Sequence, residues 1–105
     1  MSDIFLSCAF SYRDRLRGLF ALPRNFKGVL LIAPCRSVHT FGLDKNLDIA
    51  FLDRSFRILK VYRGVLPGRI LKCRGAWGVL ERYASCEPWF LEGELIQLRV
   101  SEGRL

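Results

Sequence analysis

The chain is cut into apolar runs that end almost as soon as they begin. VLLIA at 29–33 is opened by Lys27-Gly28 and closed by Pro34. LDIAFL at 47–52 lies between Asp44-Lys45-Asn46 and Asp53-Arg54-Ser55. Runs of five or six apolar residues bounded by turn chemistry read as strands buried on both faces. One residue breaks the pattern. Asp48 interrupts LDIAFL with apolar neighbours on either side, so it does not point into open water, and a buried carboxylate needs a partner.

The remaining segments follow the same grammar. DIFLSCAF at 3–10 alternates, with Ile4, Leu6, Cys8 and Phe10 on one face. Residues 37–43 form a strand joined to 47–52 by the turn at Asp44-Lys45-Asn46. FRILKVY and WGVLERY add two more, and ELIQLRV closes the chain with Ile96, Leu98 and Val100 alternating against Gln97 and Arg99. A helix is expected from Ser11, a capping residue with Asp14 three positions on. Tyr12, Leu16, Leu19 and Phe20 share one stripe, Arg13 and Arg17 the other, and Pro23 forbids continuation. A second short helix is expected around residues 87–91. The expected architecture is a mainly β (α+β) single domain over 1–105: a small bent sheet or partly closed barrel of six or seven strands with one N-terminal helix.

Composition narrows the function classes. Half of the 105 residues are hydrophobic and thirteen are aromatic, which is ample core material for one domain. No apolar stretch approaches the ~20 residues of a membrane span, and the N-terminal residues lack a basic leader, so the expectation is a cytoplasmic protein without membrane association. Four cysteines without a CxxC favour reduced thiols over disulfides or a structural metal. Cys35-x3-His39 is the nearest approach to a ligand pair. No cofactor motif is present. The formal charge is +7, carried by thirteen Arg and four Lys scattered without a basic run. Nucleic-acid binding would require those arginines to converge on one face.

Five segments in order, RLRGLF, GVLLIAP, HTFGL, LDIAFLD and AWGVLE, resemble the prokaryotic family known as domain of unknown function 192, over about residues 8–98. The resemblance implies a small mainly-β domain and brings no established activity. The chain departs from the family pattern in several places. Gly42 and Leu43 stand where the family carries Trp and Met, Phe20 replaces the Met after Arg-Gly-Leu, and Asp44-Lys45-Asn46 replaces Lys-Asn-Thr. A ligand contact made by the usual tryptophan is therefore not available here.

The candidate site follows from polar residues in apolar strands. On a strand over 37–43, His39 shares a face with Phe41 and Leu43. If that strand pairs with 47–52, His39 and Asp48 lie near one another, and Arg17 or Arg15 reaches Asp48 from the helix. Glu81, inside GVLERY, is a second strand carboxylate. His39, Asp48, Arg17 and Glu81 form the expected polar cluster, either a structural device that sets register or a patch that binds a ligand. The leading functional expectation is a non-enzymatic binding domain for a small anionic ligand or a protein partner. Two alternatives stay open. One is an enzyme with Cys35 as nucleophile, His39 as base and Asp48 as orienting group, although no nucleophile elbow or oxyanion loop accompanies them. The other is a nucleic-acid-binding domain.

Overall fold

The computed structural model describes residues 6–9 and 27–97. Seven strands are present among them: β1 (Leu6–Ala9), β2 (Val29–Ile32), β3 (Ser37–His39), β4 (Leu47–Leu52), β5 (Ile58–Val65), β6 (Ile70–Lys72) and β7 (Gly78–Tyr83). They form an open five-stranded sheet in the order β1-β2-β7-β4-β5 and a separate two-stranded sheet, β3-β6. All pairings are antiparallel except β1 with β2.

The two apolar runs that dominate the sequence occupy the middle of the large sheet. Every residue of β2 and of β4 is buried. Alternate side chains feed two cores. On one face, Leu30, Ile32, Leu47, Ile49, Phe51 and Val79 pack beneath Val38 and Leu71 of the small sheet. On the other, Leu31, Ala50, Leu52 and Leu80 are covered by Phe56, Trp77, Trp89, Phe90 and Ile96. A strand sandwiched in this way must be apolar on both sides, which is why these runs do not alternate. Gly78 permits the closest approach: a Cβ there would lie 3.1 Å from the Ala33 Cβ and 3.1 Å from the Ile32 carbonyl oxygen.

The expected fold class needs correction in three respects. First, the sheet does not curl into a barrel. β1 and β5 remain separate edges, and β3 and β6 pair with each other instead of bridging them. Second, there is no helix among the described residues. The helix expected from Ser11 lies outside them, and 87–91 is irregular. That segment spends its backbone groups elsewhere. The carbonyls of Ser85, Glu87 and Pro88 accept from Arg63 and Arg82, and the Leu91 N–H donates to Glu94 Oε1 at 3.0 Å. Third, 37–43 is not one strand paired with 47–52. β3 stops at His39 and pairs with β6, matching Val38 with Leu71 and His39 with Ile70. Thr40 causes the break. Its hydroxyl donates to the Leu66 carbonyl at 2.7 Å and accepts from the Arg69 N–H at 2.8 Å, tying the end of β3 to the Pro67-Gly68 turn. The expected final strand, ELIQLRV, lies partly outside the described residues; within 94–97 an isolated bridge joins Leu95 to Arg57.

No helix among the described residues is long and apolar enough to cross a membrane.

Candidate functional site

The expected polar cluster is dispersed by the topology. Asp48 on β4 and Glu81 on β7 belong to neighbouring strands but face opposite cores, because Asp48 is opposite Arg82 whereas Glu81 is opposite Ile49. His39 is exposed on the small sheet, where its Nδ1 accepts the Phe41 N–H at 3.3 Å and its ring lies 5.7 Å from that of Phe41. It is not among the hydrogen-bond or ion-pair partners found for Asp48. Arg17 and Arg15 lie outside the described residues. The Cys35, His39 and Asp48 arrangement loses its geometric basis for the same reason: Asp48 neither holds nor orients His39.

Asp48 is 1% exposed and fully engaged. Oδ2 accepts from Arg82 Nε at 2.9 Å and from the Ser85 N–H at 3.4 Å, while Oδ1 accepts from the Gly64 N–H at 3.0 Å. Arg63 Nε stands 3.7 Å from Oδ1. The Gly64 contact comes from a bulge. Leu47 pairs with Val65 and Ile49 with Tyr62, so Arg63 and Gly64 together oppose Asp48. Gly64 takes φ 63°, a left-handed conformation that costs glycine little, and the bulge turns its N–H toward the carboxylate. Both guanidiniums extend past Asp48 to the 84–89 segment, and Arg82 also lies 4.5 Å over the Trp89 ring. Both oxygens of Asp48 accept hydrogen bonds, and Arg63 and Arg82 donate onward to the carbonyls of Ser85, Glu87 and Pro88, so the cluster is a clamp that holds the segment covering one core. Sequence carried a signal for this partner: glycine within VYRGVL marks a bulge, and Arg82 follows Glu81 on the opposite face.

Glu81 is the contrasting case. It is 5% exposed, and nothing among the described residues hydrogen-bonds or ion-pairs its carboxylate. Val79 and Tyr83 flank it along β7, with Leu30 and Ile49 on either side. Burial in these apolar surroundings pushes its pKa up to about 7.

A receptive site lies at the opposite end of the sheet from the Asp48 clamp. Three connections converge where β2 and β4 end and β7 begins: the link between β2 and β3, the β4–β5 turn and the β6–β7 turn. Backbone bonds lock them together. Cys35 N–H donates to the Trp77 carbonyl at 2.8 Å, Trp77 N–H to the Leu52 carbonyl at 2.8 Å, and Cys73 N–H to the Arg36 carbonyl at 2.9 Å. Between them is a pocket of about 610 Å³ lined by Pro34, Cys35, Arg36, Arg54, Arg74, Gly75, Ala76 and Trp77.

The electrostatics of this pocket are one-sided. Arg36, Arg54 and Arg74 are exposed, and no carboxylate among the described residues pairs with any of them. The nearest acidic residue in sequence, Asp53, is committed to its own turn: Oδ1 accepts from the Ser55 and Arg57 N–H groups at 2.9 and 3.1 Å. Phe56, at φ 66°, ends that turn and places its ring 5.7 Å from Trp77, bracing the pocket wall. Cys35 Sγ donates to the Ser37 carbonyl at 3.2 Å, and Cys35, Cys73 and Cys86 are not in disulfides. Burial pushes the Cys73 thiol pKa up, with Lys60 pulling the other way. The three arginines are 18 and 20 residues apart along the chain. Their convergence therefore depends on tertiary structure, and sequence reading missed it.

Comparison with known proteins adds the fold and little else. No family model matches the chain, and no curated protein does. Two solved structures are similar. One is a protein of unknown function from Novosphingobium aromaticivorans DSM 12444, with TM-score 0.65 and 19% identity, covering 78% of this chain and 65% of that one. The other is a protein from Sinorhizobium meliloti 1021 provisionally described as a transcription regulator, with TM-score 0.63 and 19% identity, covering 75% of this chain and 67% of that one. This chain spans about two thirds of the length of these neighbours. At this identity the likeness establishes a shared fold alone.

Proposed function

We propose that this chain is a non-enzymatic binding domain for a small anionic ligand, held in the pocket formed by Arg36, Arg54 and Arg74. The observation that carries this reading is the convergence of three guanidiniums, none paired with a carboxylate among the described residues, on one concave site braced by backbone hydrogen bonds. A pocket lined by three positive charges, with no carboxylate in its lining, attracts an anion. Arginine presents a planar fork of N–H donors suited to carboxylate or phosphate. A volume of about 610 Å³ lies within the range of small-molecule sites. Affiliation with domain of unknown function 192 is part of the proposal, supported by the five ordered motifs, and so is a cytoplasmic location.

Calorimetric titration with inorganic phosphate, pyrophosphate and citrate at low ionic strength tests the reading. Saturable binding that is lost in Arg54→Ala supports it. Binding unaffected by Arg36→Ala, Arg54→Ala and Arg74→Ala together would overturn it.

A further inference from the structure

We infer that the ligand of the arginine pocket carries two or more linked oxyanionic groups, as a pyrophosphate or an oligocarboxylate does. This deepens the proposed anion-binding role and rests on it. The polar side chains of the lining are three guanidiniums, the Trp77 indole and the Cys35 thiol, and no carboxylate is among them. The Trp77 indole N–H has no hydrogen-bond partner among the described residues. Each guanidinium offers five donors and accepts nothing, and the indole only donates. The lining is thus dominated by donors, and it carries three positive charges.

A single monovalent anion would leave two charges uncompensated. A single tetrahedral oxyanion would also have to draw together three side chains that spring from three separate connections. Those connections are tied to one another through the backbone, at Cys35 to Trp77, Trp77 to Leu52, and Cys73 to Arg36. The arginines therefore stand at separate anchor points around the pocket. A ligand with charge spread along its length engages them without moving the anchors. Pro34, Ala76 and the Trp77 ring supply the apolar part of the lining, against which the uncharged portion of such a ligand rests.

The test compares anions of increasing valence on the intact protein. Orthophosphate, pyrophosphate, tripolyphosphate and citrate are titrated calorimetrically at several salt concentrations. Trp89→Phe leaves Trp77 as the sole indole of the chain, and its fluorescence reports occupancy of the pocket. Pyrophosphate and tripolyphosphate are expected to bind about tenfold or more tighter than orthophosphate, since each added charge-assisted contact is worth roughly that factor. Arg36→Ala, Arg54→Ala and Arg74→Ala should each weaken tripolyphosphate and flatten its salt dependence, while Arg69→Ala, outside the pocket, should change neither. Citrate matching pyrophosphate would support the inference with carboxylates as the linked groups. Equal affinity for orthophosphate and pyrophosphate would overturn the inference while leaving the anion-binding role intact. No heat and no Trp77 response with any anion would overturn both. A short thymidine oligonucleotide binding more tightly than tripolyphosphate would overturn it in favour of nucleic acid.

Discussion

Arg82 Nε donates to Asp48 Oδ2 at 2.9 Å across the β4–β7 ladder, and the same guanidinium reaches the Glu87 and Pro88 carbonyls at 2.7 and 3.1 Å. One ion pair thus joins a central strand to the segment that covers its core. Asp48→Asn keeps the shape and removes the charge, leaving Arg82 and Arg63 without compensation. Stability is expected to fall by about 3 kcal/mol or more. Urea denaturation measures this, and a midpoint within error of the parent would refute the clamp.

Glu81 makes stability depend on pH. Its carboxyl is pushed from the usual 4.5 up to about 7 by burial. The folded state therefore binds more protons than the unfolded state between those values, and stability falls as pH rises. The contribution is fully present below about pH 4.5 and is lost as pH rises through about 7. The loss is on the order of 3 kcal/mol. Glu81→Gln should flatten this part of the stability profile. A parent profile without a decline over that window would show that Glu81 has a partner in solution.

Thr40 is fully buried and its hydroxyl joins the Leu66 carbonyl to the Arg69 N–H. Thr40→Val preserves the volume and leaves both backbone groups unsatisfied. The expected cost is about 2 kcal/mol, with faster amide exchange at Arg69 as the local signature. Unchanged exchange there would mean that water replaces the hydroxyl.

Gly78 is tightly enclosed, since a Cβ would meet the Ala33 Cβ and the Ile32 carbonyl oxygen at 3.1 Å and force them to give by a few tenths of an ångström. Gly78→Val should destabilise by roughly 1–3 kcal/mol through overpacking. An equal loss on Gly93→Val, where nothing lies within 4 Å of the added Cβ but φ is +86°, would point to backbone strain as a sufficient cause.

Arg36, Arg54 and Arg74 are solvent-exposed and form no ion pair among the described residues, so replacing each by alanine should alter stability by less than about 0.5 kcal/mol. Thermal melts of the three variants check this, and a large loss would show that these side chains support the fold.

The strands were legible in the sequence because their signal is local. VLLIA and LDIAFL are too apolar to be anywhere but the centre of a sheet, and Pro34, Asp44-Lys45-Asn46 and Asp53-Arg54-Ser55 mark where they stop. The burial of Asp48 followed from its neighbours in the same way. Pairing was not legible, because it is decided between segments far apart in the chain. The turn chemistry of Asp44-Lys45-Asn46 suggested a hairpin from 37–43 to β4, yet the Thr40 hydroxyl binds groups 26 and 29 residues away and sends β3 to β6. That choice separates His39 from Asp48 and gives Asp48 to Arg82, 34 residues on. The arginine pocket has the same origin. Arg36, Arg54 and Arg74 look like scattered surface charge in the sequence, and they meet because antiparallel pairing of β4 with β7 and of β7 with β2 brings three chain reversals to one end of the sheet.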